Sequence, residues 1–145
     1  METGMLHLHS LLRWVILVLL LLTLIQAFGK KQVAKPTSLW LMIASHTMLL
    51  IGVYQLIAGT FGIIKGVPGV KEIMNNTTYR FYLIEHPLMM FVSIILITIA
   101  RGKLKKNNYS AAAWMLLVAL LLILAAIPWP FRDVVGAGRT WLPGM

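Results

Sequence analysis

Five ionisable side chains stand inside long apolar stretches of this chain: His9, Arg13, His46, Glu85 and His86. Such groups at bilayer depth cost at least a few kcal/mol unless they are paired or hold a cofactor, so each is a functional candidate by default. His9 and Arg13 are four residues apart, one helical turn, and share a helix face. His7 faces elsewhere and reads as an interfacial residue. The chain has no cysteine, which excludes a disulfide framework, thiolate metal sites, iron–sulfur clusters and covalently attached c-type haem. Three imidazoles without a thiolate leave two chemistries. One is axial ligation of a b-type haem by two histidines across a helical bundle. The other is a copper or zinc ion held by His9, His46 and His86, with Glu85 as a further oxygen ligand.

The elements that must position these groups follow from composition. Of 145 residues, 59% are hydrophobic and 12% charged, against about 45 to 50% apolar and about 25% charged in soluble domains. Four bilayer crossings of about 20 residues use roughly 80 residues, which consumes the apolar inventory and leaves no room for a large extramembrane domain. The fold class is therefore all-α, a transmembrane four-helix bundle in one domain. Charges and breakers place its helices at about 6–28, 38–62, 80–100 and 110–128, followed by a C-terminal tail over 129–145. Pro36 suits a helix start. Pro128-Trp129-Pro130-Phe131 cannot continue a regular helix and suits an aromatic interface belt. The net charge of +9 reads as loop orientation and lipid headgroup contact, not as nucleic-acid binding. Lys30, Lys31 and Lys35 in the first connection, with Arg101, Lys103, Lys105 and Lys106 in the third, mark those loops as cytoplasmic. Both termini are then expected on the outer, periplasmic side of a bacterial inner membrane. The Asn75-Asn76-Thr77 sequon reads as a polar turn.

With a rise of about 1.5 Å per residue, His9 lies roughly 30 Å above Lys30, His86 roughly 22 Å above Arg101 and His46 roughly 16 Å above Lys35. His46 and His86 are closest in depth and form the favoured axial pair, with His9 and His86 next. Ser45, Gly52 and Gly59 recur every seven residues as a narrow small-residue face beside the His46 face, a slot through which a flat macrocycle reaches the backbone. Arg13 suits a propionate counter-ion. The bland alternatives are that the histidines bond neighbouring carbonyls, that the small residues only pack helices, and that Met42, Met48, Met89 and Met90 are filler. Glu85 is either a partner of an imidazole N–H or proton carrier, or an ion-pair partner of Arg13 or Arg80. Pro87 frees the carbonyl of Leu83 and reads as a kink. Tyr54, Gln55 and Tyr82 fit either a quinone pocket or interface anchoring.

The runs Leu8-His9-Ser10-Leu11-Leu12-Arg13-Trp14, Ala44-Ser45-His46 with Ile51-Gly52, Glu85-His86-Pro87-Leu88-Met89-Met90 and Ile127-Pro128-Trp129 resemble, over nearly the whole chain, a family of small bacterial four-helix membrane proteins labelled cytochrome b or cytochrome b-like. The resemblance implies a b-type haem or a related electron-transfer role, carried onto His9, Arg13, His46, Glu85 and His86. The expectation is thus a haem b protein passing single electrons between the quinone pool and a membrane or periplasmic partner. A copper or zinc protein and a non-catalytic subunit of a larger respiratory or membrane complex are the competing readings. A bundle of only four helices also invites a second copy of itself to cover its cofactor.

Overall fold

The computed structural model of the chain describes residues 2–136 and 139–142. Helix α1 spans Glu2–Phe28 and α2 spans Ala34–Ala58; the short α3, Val70–Asn75, lies in the second connection. Helix α4 is one continuous run over Thr77–Lys105, and α5 spans Tyr109–Ala126. These are the four expected apolar helices, α1, α2, α4 and α5, each long and apolar enough to cross a membrane. The ends differ from expectation by a few residues for local reasons. α2 starts at Ala34, which puts Pro36 in the first turn, where its missing N–H is not needed. It stops at Ala58 because Gly59 turns extended. α4 starts at Thr77 because the Asn76 side chain caps it, accepting from the N–H groups of Thr78 and Tyr79 at 3.0 and 3.2 Å. The sequon asparagine pair is thus part of a capped turn.

Each long helix packs on its neighbour in sequence, and α1 closes the ring on α5. Two tight turns lie at one end. Lys30 and Asn107 take positive φ, and the next N–H groups, of Lys31 and Asn108, reach back to the carbonyls of Gln26 and Lys103. Both close as Schellman motifs. The half of the bundle near these turns is solid. Leu20, Leu41, Ile97, Leu104 and Leu116 interdigitate there, while Ala100, Ala112, Ala113 and Ala119, fully buried, let α4 and α5 approach closely. Thr23 and Ser93 return their hydroxyl protons to carbonyls one turn back, and Ser38 to one three residues back. Arg101 ties α4 to α2 through the Lys35 carbonyl at 3.0 Å. Outward, Val18, Ile25, Trp40, Leu50, Leu88, Trp114 and Leu121 form an exposed apolar girdle, of a size that suits lipid and not water.

Candidate functional site: a two-histidine cavity

The opposite half of the bundle is hollow, and the reason lies in its helix ends. α5 must stop at Ala126, because the helical partners of the Leu124 and Ala126 carbonyls would be Pro128 and Pro130, which have no N–H. Other groups take the carbonyls of this last turn. Trp129 Nε1 donates to Leu124 O at 2.9 Å, Arg132 to Ala125 O at 2.9 Å, and His86 Nδ1 to Ala126 O at 2.7 Å. Pro87 acts likewise on α4. Residues Phe81–Glu85 form a π-turn in which the His86 N–H bonds the carbonyl of Phe81, five residues back. The expected kink is therefore a widened turn that sits directly before the histidine.

Between α1, α2, α4 and α5 this leaves a cavity of about 430 Å³, within the range of about 300 to 1,000 Å³ typical of ligand sites. Its inner wall is apolar, with Ile16, Met48, Leu49, Met90, Ile94 and Ile123. His9 and His86 meet inside it with ring centroids 6.2 Å apart and planes inclined by 52°. Gly52 faces them, and a Cβ there would come within 4.0 Å of His9 Cε1. Tyr54, Gln55, Gly59 and Tyr82 also line the cavity, and the exposed His7 stands at its rim. Arg13 and Arg139 complete the polar end.

The structure separates the remaining candidates from this group. His46 lies on an exposed face of α2 and bonds Met42 O through Nδ1 at 2.8 Å. It lines a second, shallower cleft of about 240 Å³ with Leu49, Phe91, Ile94, Ile95, Thr98 and Ile99. The expected convergence of His46 with His86 considered depth alone. At about 100° per residue, His46 is roughly 120° around α2 from Gly52. Ser45 shares the Gly52 face but is fully buried below the cavity, and its hydroxyl has no partner. Glu85 pairs with Arg80 at 2.7 Å, half-exposed and away from Arg13. Among the described residues no group of three or more His, Asp or Glu side chains is placed to hold a metal ion. The copper or zinc site of His9, His46, His86 and Glu85 is accordingly not assembled.

What sequence reasoning missed is the tail. Residues 127–136 and 139–142 fold back over the open end of the cavity, and Arg139 and Thr140 line it. Tyr82 donates its hydroxyl proton to Val135 O at 2.5 Å. Arg13 Nη2 and Trp14 Nε1 both donate to Trp141 O at 2.8 Å. Trp14, Phe131 and Trp141 gather around Trp129. The Trp-Pro cluster signalled an interface belt, but nothing local to it signalled a return over the site.

No family model, no curated protein and no solved structure matches this chain.

Proposed function

We propose that this chain is a multi-pass protein of a bacterial inner membrane that holds one b-type haem between His9 and His86 and carries single electrons. The observation that carries the reading is the facing pair of imidazoles in an otherwise apolar cavity. A separation of 6.2 Å between centroids leaves room for one metal bonded at about 2 Å to a nitrogen of each ring. His86 Nδ1 is committed as a donor to Ala126 O, so the lone pair of Nε2 is free, the tautomer that a carbonyl-anchored ligand requires. His9 Nδ1 is buried without a hydrogen-bond partner, an arrangement that an unliganded imidazole avoids. The favoured axial pair thus becomes His9 with His86, and His46 leaves the ligand set.

When bound, the haem supplies reversible one-electron chemistry at iron. The chain's own residues orient and shield it. Ile16, Met48 and Ile94 exclude water, Gly52 keeps space beside His9, and Arg13 offers a guanidinium at the polar end. Tyr54, Gln55 and Tyr82 line the same cavity and would offer hydrogen bonds to a quinone head group as electron partner. Lys30, Lys31, Lys35, Lys103, Lys105 and Lys106 collect at the tight-turn end, which favours that end as cytoplasmic and both termini as periplasmic.

The test is the absorption spectrum of purified protein, oxidised and reduced, with a pyridine haemochrome assay. His9→Ala and His86→Ala are each expected to abolish the reducible Soret and α bands, while His46→Ala keeps them. A colourless natural chain from a haem-sufficient host, or bands that depend on His46, sinks the reading.

A further inference from the structure

Two guanidiniums, Arg13 from α1 and Arg139 from the tail, line one cavity, and among the described residues none that line it is Asp or Glu. Like charges brought to one low-dielectric space repel unless an anion joins them. Arg13 spends Nη2 on Trp141 O, but its Nε is buried and makes no hydrogen bond. The Arg139 guanidinium stands 5.2 Å from the Tyr82 ring centroid, a cation–π contact that fixes its place and leaves its N–H groups uncommitted by that contact. Three separate anchors hold the tail that carries it: Tyr82 to Val135, Arg13 with Trp14 to Trp141, and the aromatic cluster around Trp129.

We propose that the tail is a strap across the cavity mouth and that Arg139, with Arg13, forms a two-guanidinium clamp for a ligand bearing two carboxylates on one edge and an apolar body. Resting on the haem reading, the two carboxylates are the propionates. Arg13 alone was the expected counter-ion; the strap supplies the second. The clamp makes the site selective for the diacid over a neutral tetrapyrrole, and it makes strap order depend on the ligand.

Metal-free protoporphyrin tests the clamp apart from iron ligation, since it has no metal for His9 or His86 to bind. Full-length protein in detergent is titrated with this diacid and with its dimethyl ester, followed by porphyrin fluorescence. The natural chain is expected to bind the diacid roughly tenfold or more tighter than the ester, the scale of one charge-assisted hydrogen bond. Arg139→Gln should erase that preference by weakening the diacid alone, and Arg139→Lys should restore part of it. Unchanged ester binding shows that the variant's cavity is intact. Trypsin cleavage after Arg132 should slow on adding diacid and not on adding ester. Equal binding of diacid and ester by the natural chain, equal weakening of both by Arg139→Gln, or no binding of either overturns the clamp. A clamp that behaves as stated, in a protein that gives no His86-dependent haem spectrum, overturns the haem reading alone and leaves an amphipathic dicarboxylate site.

Discussion

At the residue scale, Ser45 and Gly52 show how one helix face divides between two tasks. They are seven residues apart on α2, yet Gly52 borders the cavity while Ser45 is buried in the core with an unpartnered hydroxyl. A buried hydroxyl without a partner costs about 1 to 3 kcal/mol. Ser45→Ala should therefore leave the haem spectrum unchanged and raise thermal stability by about 1 kcal/mol. Gly52→Leu should do the reverse, because the added side chain extends past the 4.0 Å contact of its Cβ into the His9 ring. It should remove the haem bands while circular dichroism stays helical. A Ser45→Ala protein without haem, or a Gly52→Leu protein with it, would move the site onto the other part of this face. His9, Arg13, His86 and Gly52, singled out by type and position in the sequence, line one cavity. His46 was misplaced because helical rise gives depth while burial depends on rotation about the axis, and that rotation has meaning only once the partner face is known.

At the element scale, prolines shape both sides of the site. Pro128 and Pro130 end α5 and release a carbonyl that orients His86, while Pro87 follows the π-turn that carries His86 inward. Pro87→Ala restores an N–H for the carbonyl of Leu83 and lets the turn tighten to α-helical geometry. The expected result is roughly tenfold weaker haem retention, equivalent to about 1.4 kcal/mol, with helical content unchanged by circular dichroism. Retention equal to that of the natural chain would show that the π-turn does not position the histidine. Helix number and order were readable because Lys-rich turns interrupt the apolar runs. The π-turn was not, since a proline within a helix signals a freed carbonyl without saying which wider pattern absorbs it. Nor was the role of Asn76, a cap that needs the following turn to be helical before its side chain has N–H groups to accept from.

At the scale of the whole molecule, the solid half with its tight turns and the hollow half, where the start of α1 and residues 139–142 lie, define an axis, and the proposed orientation fixes its sign in the membrane. The chain lacks cysteine, so single cysteines report topology without background. In intact spheroplasts, Gln32→Cys and Asn107→Cys should resist a membrane-impermeant maleimide, and Met74→Cys should react. The opposite pattern would invert the protein. The fold-back of the tail has a different consequence, in time. The Trp141 carbonyl lies 128 residues from the Arg13 guanidinium that it receives. At a synthesis rate of about 5 to 20 residues per second, α1 therefore waits roughly 6 to 25 s for its partner. During that wait His9 and Arg13 already stand beside an open mouth. Loading of the proposed cofactor would then be a late event, completed on a fully translated chain, and a chain stalled before codon 139 would leave the cavity mouth without Arg139 and Thr140.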